Sequence, residues 1–268
     1  MFKIRKNLVG MFKKLSPMAV LLLPVIAMIM GASAPKVWAE QFEDAKIIFE
    51  TNFSDEDTGI QIFLDGGPWK EVEIVGPNGE ILEIEAEGRL RNFGLTEAFF
   101  ESNEPNWEEV SLEDILARFP QGNYRFKGRA TDGTRLRSRA FLSHELPCAP
   151  DENSLSPSEE TVSVEDGIVI EWAHVTEQLD IEEEDCGDDP ITVVTYQVIV
   201  ENVDTQNKFS IFLEAQPGIN QVTLPSEFVE DGITYKWEVL AIAENGNQTI
   251  AEAYFCTGVE GANCTEPE

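Results

Sequence analysis

Six basic side chains lie within one short stretch of an otherwise acidic sequence. The stretch reads YRFKGRATDGTRLRSRAF, residues 124–141, and its basic residues are Arg125, Lys127, Arg129, Arg135, Arg137 and Arg139. The chain of 268 residues contains 19 basic and 50 acidic residues, so a dense group of cations is unexpected. Guanidinium and ammonium groups pair with carboxylates, sulfates and phosphates. The stretch is therefore a candidate anion-binding site.

The spacing predicts a β-hairpin, and its loop length decides where the cations point. A two-residue Asp132-Gly133 loop would pair Arg129 with Leu136 and place the two basic sets on opposite faces, because a one-residue shift reverses every side chain. A three-residue loop with Gly133 in the left-handed conformation pairs Arg129 with Arg135 and puts all six cations on one face. We favour the three-residue loop because only this register gives the hairpin an apolar side. That side consists of Tyr124, Phe126, Leu136 and Ala140.

A face of six cations needs a partner, because like charges opposite one another destabilise a sheet. Two other predicted strands carry alternating glutamates, namely Glu71 and Glu73, and Glu83, Glu85 and Glu87. If these strands adjoin the hairpin, acidic and basic rows interleave, and each exposed pair contributes about 0–1 kcal/mol. The alternative is a docking surface for an anionic glycan or for the acidic second half of the chain.

Two tryptophans in turn-like settings extend the possible ligand face. Trp69 follows Gly66-Gly67-Pro68, and Trp107 lies in Asn106-Trp107-Glu108. If they are exposed, their rings can stack on sugars or on another protein. If they are buried, they close the core of the first half, as large aromatic residues tend to do.

Acidic residues gather at two places that suit calcium, whose preferred ligands are carboxylate oxygens. The EF-hand pattern fails at the first place, because Gly59 occupies a ligand position and the closing glutamate is absent. Solvated acidic loops are the alternative interpretation at both places. We therefore expect no cofactor, with Ca²⁺ as the one candidate ion. The candidate ligands are Asp55, Asp57, Glu184, Asp185 and Asp188.

The sequence offers little support for catalysis. His144 and His174 are its only histidines, and the nucleophile motif G-x-S-x-G is absent. Glu97, Glu101 and Glu104 lie near aromatic residues and are the carboxylates that a polysaccharide-acting enzyme would use. In so acidic a chain such proximity arises by chance, so we predict that the protein is not an enzyme.

The first 39 residues have the pattern of a signal peptide. A basic start precedes the apolar run Met18–Met30, and Val37-Trp38-Ala39 fits the cleavage rule better than Ala32-Ser33-Ala34, which Pro35 follows. Cleavage near Ala39 predicts a secreted or periplasmic protein without membrane attachment; an uncleaved anchor is the alternative. Cleavage removes six basic and no acidic residues, so the net charge falls from −31 to −37. Such a charge disfavours nucleic acid as a partner.

Period-two alternation in both halves predicts a mainly β protein of two domains. Ser111 is the expected N-cap of one short helix. Beyond Glu145 the only basic residues are Lys208 and Lys236, so we place a domain boundary near Leu146. The predicted divisions are a signal peptide at 1–39, an N-terminal β domain at 40–146, a second domain at 147–258 and a tail at 259–268. The first-half strands are predicted at Lys46–Asn52, Gly59–Leu64, Lys70–Val75, Ile81–Glu87, Asn123–Ala130 and Arg135–Leu142.

About residues 148–257 the chain resembles a fibronectin type III domain. Trp172 and Tyr196 match the B-strand Trp and C-strand Tyr of that family, and VTLPSEFVEDGITYKWEVLAIA is similar to its E strand, E–F loop and F strand. The resemblance implies a β-sandwich with Leu224 in the core and the Tyr235 hydroxyl bonded to backbone upstream. An acidic B–C insertion, Glu177–Pro190, departs from the family pattern.

Three stretches of the first half, IQIFLDGGPWKEVEIVGPNGEI, GLTEAFFESNEP and RFPQGNYRFKGRATDG, are similar to the N-terminal region that accompanies such a module in secreted bacterial proteins. This second resemblance implies a domain organisation and no activity.

Four cysteines in an exported chain predict two disulfides, and composition alone allows three pairings. The absence of C-x-x-C argues against a redox or zinc site. The resemblance places chain entry and the B–C loop at one pole of the sandwich and the chain exit at the other. It thereby implies the pairs Cys148–Cys186 and Cys256–Cys264. Closing the longer loop would stabilise the fold by roughly 4 kcal/mol on the chain-entropy model.

These features together predict a secreted, non-enzymatic binding or interaction module for a protein or glycan ligand. One alternative is an enzyme that acts on extracellular polysaccharide through first-half carboxylates. The other is a structural spacer of an envelope assembly.

Overall fold

The computed structural model describes residues 39–259 and 264, which belong to one compact unit, Trp38–Glu268. The predicted signal peptide lies outside the described residues except for Ala39, as does most of the predicted 259–268 tail. Among the described residues, no helix has the length and apolar character needed to cross a membrane. Strands account for most of the secondary structure, and the helices are short, which confirms the predicted all-β fold class.

Six strands and two short helices form the first half. They are β1 (Asp44–Asn52), β2 (Asp57–Gly76), β3 (Gly79–Glu85), α1 (Leu90–Phe93), β4 (Leu95–Glu101), α2 (Leu112–Arg118), β5 (Gly122–Ala130) and β6 (Arg135–Leu142). The predicted helix is confirmed as α2, where the Ser111 hydroxyl accepts a hydrogen bond from the Asp114 backbone N at 3.3 Å. The predicted strands Gly59–Leu64 and Lys70–Val75 are two parts of one long strand, β2, because the Gly-Gly-Pro segment between them stays extended.

The long strand β2 organises the first half. Its first part pairs with β1 and β4, and its second part pairs with β3 and β5, all antiparallel. The hydrophobic core of this half includes Phe49, Leu64, Trp69 and Phe126, which are fully buried. Burying large aromatic and aliphatic side chains contributes about 1.5–3 kcal/mol each and drives this packing.

Nine strands form the second half. They are β7 (Glu160–Val162), β8 (Val169–Glu171), β9 (Glu177–Asp180), β10 (Asp185–Pro190), β11 (Val193–Asn202), β12 (Lys208–Glu214), β13 (Gln221–Thr223), β14 (Thr234–Ala243) and β15 (Gln248–Thr257). One layer has the order β12-β11-β14-β15, and the pair β8-β13 forms a second sheet. Trp172, Tyr196, Trp237 and Leu224 are buried together in the core. The predicted sandwich core is confirmed.

The predicted tyrosine corner is also present. Tyr235 is buried, and its hydroxyl oxygen accepts a hydrogen bond from the Glu230 backbone N at 2.8 Å. The same hydroxyl donates to the Phe228 carbonyl at 3.4 Å. These two bonds fix the loop that precedes β14, as such corners do in sandwich domains.

The two halves share one continuous sheet. Strand β1 of the first half pairs in parallel with β15 of the second half, through Glu50 and Gln248 among others. The buried Asn247 ties the junction, because its Oδ1 accepts from the Phe49 backbone N at 2.9 Å and its Nδ2 donates to the carbonyls of Ser143 and Glu145. A side chain of the second half thereby satisfies three backbone groups of the first half.

The acidic B–C insertion is a hairpin, β9-β10, which packs against the first half. Leu179 is buried in the first-half core, and its backbone N donates to the Leu146 carbonyl at 3.0 Å. Glu184 accepts a hydrogen bond from the Leu112 backbone N, at the start of α2, at 3.0 Å. Both predicted disulfides are present, Cys148–Cys186 and Cys256–Cys264. The first of them fastens this hairpin to the chain that links the halves.

Candidate anion-binding face

The β5–β6 hairpin has the predicted register. Arg129 pairs with Arg135, Lys127 with Arg137 and Arg125 with Arg139. The connecting loop contains three residues and ends at Gly133, whose φ of 96° lies in the left-handed region that glycine tolerates. All six cations therefore lie on one face of the hairpin, here called the basic face. They form three cross-strand rungs of like charge.

The opposite side of the hairpin belongs to the core and holds the basic face in place. Tyr124 and Phe126 are fully buried, and Leu136 is nearly so. The Tyr124 hydroxyl donates to the Pro120 carbonyl at 3.1 Å, and burial raises the pKa of Tyr124 to about 12. Because the inner side chains are fixed by packing, the outer ones project from a rigid sheet.

Two of the six cations are neutralised within the protein. The Lys127 ammonium lies 3.0 Å from the Glu73 carboxylate, and the Arg129 guanidinium lies 2.8 Å from the Glu71 carboxylate. These glutamates are on β2, in the register positions directly opposite the two cations. The predicted neutralisation by Glu71 and Glu73 thus holds for the β5 row.

The other four cations have no such partner. Among residues 39–259 and 264, no carboxylate lies within ion-pair distance of these arginines, and all four are exposed. They are Arg125, Arg135, Arg137 and Arg139. Three of them form the row on β6, which is separated from the β2 glutamates by β5. The basic face is therefore unpaired chiefly along β6.

The second acidic strand does not reach the hairpin. Strand β3 pairs with β2 on the side away from β5, so Glu83 lies beside Glu73 and Glu85 beside Glu71. The Glu85 carboxylate instead forms an ion pair with Arg91. The expected interleaving of acidic and basic rows is therefore wrong for this strand. The glutamate-bearing strands β3 and β2 lie side by side, and the basic strands β5 and β6 follow on the other side of β2.

Residues just before β1 complete the edge beside β6. The Glu40 backbone N donates to the Arg135 carbonyl at 2.9 Å, and the Arg137 backbone N donates to the Glu40 carbonyl at 2.7 Å. The next residue, Gln41, lines a shallow groove of about 490 Å³ together with Arg125, Arg137 and Arg139. Three unpaired guanidinium groups therefore border one open groove.

Sequence reasoning missed one residue of this surface. Phe141 continues the alternation of Arg135, Arg137 and Arg139 along β6, so it lies on the same face, and it is 52% exposed. Its cross-strand neighbour is Asn123, which is also exposed. The period-two alternation carried one step further along the strand would have identified Phe141.

The two predicted tryptophans do not belong to the ligand face. Trp69 has no exposed surface, and its ring packs edge-on against Phe42 in the first-half core. Trp107 is 7% exposed, and its Nε1 donates to the Thr58 hydroxyl at 3.0 Å. Both rings are buried because Gly66-Gly67-Pro68 continues β2 and Trp107 turns into the core beside it. Their burial agrees with the interpretation in which they close the core of the first half, and it removes them from the possible ligand face.

A separate cluster of carboxylates lies on the outer side of the continuous sheet. Oxygen atoms of Glu50, Glu101 and Glu104 lie within 4.8 Å of one another, and they are the only such group among the described residues. Gly59 permits this approach, since a Cβ atom there would lie 2.6 Å from Glu104 Cγ. Burial and the neighbouring carboxylate of Asp57 raise the pKa of Glu104 to about 7. Burial also raises the pKa of Glu50.

This carboxylate cluster can hold a proton or a hard cation, and it contains two of the three carboxylates considered for catalysis. Glu97 is not part of the cluster, because it lies further along β4, opposite Asp65.

The two histidines pack against aromatic rings instead of forming a catalytic pair. His144 lies against Phe49, and His174 lies against Tyr196.

The structure does not gather the predicted calcium ligands into one set among the residues that it describes. Asp55 accepts a hydrogen bond from Asn52, and Asp185 accepts from the backbone N of Cys186. Glu184 accepts from the start of α2, as described above, and Asp188 is exposed on β10. Calcium binding by these residues stays a prediction.

No protein-family model matches the sequence, and no curated protein matches it. Solved structures show a likeness. The structural neighbours are fibronectin type III domains. One is the FN1–FN3 segment of chicken CNTN1, with 13% identity and a TM-score of 0.27, covering 86% of this chain and 68% of that chain. Another is a two-domain fibronectin type III segment of chicken tenascin, with 11% identity and a TM-score of 0.28, covering 79% of this chain and 96% of that one.

The second half does not contain the basic face. The six cations lie on β5 and β6 of the first half, whereas Lys208 and Lys236 of the second half are paired with Glu201 and Glu252. The surface best suited to an anion therefore belongs to the first half.

Proposed function

We propose that this protein is an exported, non-enzymatic binding module that holds an anionic ligand on the basic face of the β5–β6 hairpin. The supporting observation is the row of exposed arginines that have no ion-pair partner among the described residues. They are Arg125, Arg135, Arg137 and Arg139. The chain has 50 acidic residues, yet none of those that the structure describes forms an ion pair with these four arginines.

The energetics of the hairpin favour an external anion. The rung of Arg125 and Arg139 holds two unpaired cations, and like charges directly opposite one another destabilise a sheet. An anion that bridges a rung removes this repulsion and gains charge-assisted hydrogen bonds, which arginine forms in pairs with carboxylate or sulfate. The net charge of −31 opposes the approach of an anion only weakly at physiological salt, because the repulsion from exposed charges farther away than about 8–10 Å is largely screened.

A heparin column tests this proposal. The combined substitution of Arg125, Arg137 and Arg139 by Gln removes three unpaired cations from one groove. We expect the variant to elute at clearly lower salt than the wild type, because losing three exposed pairs of about 0.5–1 kcal/mol each weakens binding at least about tenfold. The matched control replaces Lys46, Arg89 and Arg118 by Gln and removes the same charge elsewhere. Equal retention of all three proteins would contradict the proposal.

A spacer role is the second candidate, and the junction of the two halves favours it. The parallel pairing of β1 with β15 continues one sheet through the boundary, and Asn247 bonds to backbone of the first half. A spacer needs such rigidity and needs no ligand. Substitution of the basic face would then leave the cellular role of the protein unchanged, whereas a binding module would lose it.

A further inference from the structure

The arginine row on β6 ends in an exposed aromatic ring. Arg135, Arg137 and Arg139 alternate with inward-facing residues, and Phe141 takes the next outward position. Outward residues on one strand lie about 7 Å apart, so three guanidinium groups and one ring form a line of about 20 Å. Arg125 lies opposite Arg139 and widens the charged part of the line near the ring.

Phe141 alone would carry no conclusion, because single exposed apolar residues are ordinary on protein surfaces. Its position in line with unpaired cations is the informative feature. The ring is 52% exposed near the C-terminal end of β6, so a flat apolar ring can pack against its exposed part. The C–H faces of a pyranose are flat and apolar, whereas its carboxylate or sulfate substituents project from the ring edge. A sugar polymer with acidic substituents matches both features.

The geometry points to an acidic polysaccharide as the ligand, lying along β6 with one sugar ring stacked on Phe141 and its anionic groups on Arg139, Arg137 and Arg135. This inference rests on the proposed anion-binding function and names the ligand class. The ligand is a glycan rather than another polyanion, because a polyanion without sugar rings would bind the arginines but would make no stacking contact with Phe141.

The neighbouring strands limit the ligand to a single chain. Lys127 and Arg129 are already paired with Glu73 and Glu71, and the glutamates of β3 lie beyond them. A broad polyanion would meet these carboxylates and be repelled. A single linear polymer, in contrast, can follow the row on β6 and the groove beside Gln41 without crossing the acidic strands.

Four probes separate the sugar from the charge. Heparin and polygalacturonate have sugar rings with sulfate or carboxylate groups, whereas poly-L-glutamate and polyphosphate have anions without sugar rings. The variants are Phe141→Ala and Arg137→Gln. The matched control is Phe99→Ala, which removes a ring of similar exposure, 56%, from β4. Thermal unfolding of each variant checks that the fold is retained.

We expect Arg137→Gln to weaken every probe that the wild-type protein binds. Phe141→Ala should weaken at least one of the two glycans by about two- to tenfold, the range typical of a packed aromatic contact, and should leave the polymers without rings unchanged. Phe99→Ala should change nothing. A response of polygalacturonate to Phe141→Ala shows that carboxylate groups suffice, whereas a response of heparin alone indicates that sulfate groups are required.

Two outcomes would overturn the inference, and they are distinguishable. If Arg137→Gln weakens binding but Phe141→Ala leaves both glycans unaffected, or affects polyglutamate equally, the anion-binding function stands and the glycan assignment is wrong. If none of the four polymers binds at low salt, the proposed function fails and the glycan assignment fails with it.

Discussion

Replacing Glu104 by Gln should remove part of the pH dependence of folding stability. Glu104 has a pKa of about 7 in the folded protein, because it is half-buried and lies near Asp57, Glu101 and Glu50. In the unfolded chain a glutamate has its ordinary pKa of 4.5. Between these two pH values the folded state therefore binds more protons than the unfolded state.

The sign of the effect follows from proton linkage. Stability rises with pH only where the unfolded state binds more protons, and here the folded state does. The contribution of Glu104 is therefore fully present below pH 4.5, declines as the pH rises and is lost above pH 7. Solvent reaches this carboxylate, so screening reduces the effect to the order of 1 kcal/mol. That corresponds to roughly 2–4 °C in Tm for a chain of this size.

Thermal and urea unfolding at pH 5 and pH 8 measure this contribution. We expect Glu104→Gln to match the wild type at pH 5 and to exceed it by about 1 kcal/mol at pH 8, because the glutamine carries no charge at either pH. Glu97→Gln removes the same charge from an exposed position on β4 and controls for net charge. If Glu104→Gln shows the same difference between pH 5 and pH 8 as the wild type, the carboxylate cluster is not coupled to folding as described.

Three further variants test the junction of the two halves. Asn247→Ala should lower the free energy of unfolding by about 3 kcal/mol, because it leaves the buried Phe49 backbone N–H and the Ser143 carbonyl without this partner, whereas the Glu145 carbonyl keeps the Asn245 amide; urea denaturation measures this loss. Glu184→Gln should cost about 0.5–1 kcal/mol by weakening the bond to the Leu112 backbone N, and an unchanged urea midpoint would argue against that contact. Replacing Cys148 and Cys186 by Ser should cost about 4 kcal/mol by freeing a loop with a sequence separation of 38, and a nonreducing peptide map of the wild type verifies the pairing.

The register of the basic hairpin could be predicted from sequence because local rules fix it. The alternation of cations with apolar residues and the Gly133 loop leave one register in which the hairpin has an apolar side. The sandwich core around Trp172, Tyr196 and Tyr235 could also be predicted from the sequence, since alternation decides which side chains face inward.

Exposure of aromatic residues could not be predicted in the same way. Trp69 and Trp107 lie next to turn-like residues, yet the long strand β2 and the segment after β4 bury them. Phe141 lies in a strand, yet 52% of its surface is exposed. Burial depends on what packs above a face, and that information is not local in the sequence.

The sequence by itself determined the all-β class, the inward side of each recognised strand and the shared face of the six cations, because these follow from a two-residue period. Only the tertiary structure decided which cations remain unpaired. Strand β2 brings Glu71 and Glu73 to the β5 row and places β3 on the far side. Charge neutralisation requires neighbouring strands in register, and strand order is set by packing of the whole chain rather than by any one segment.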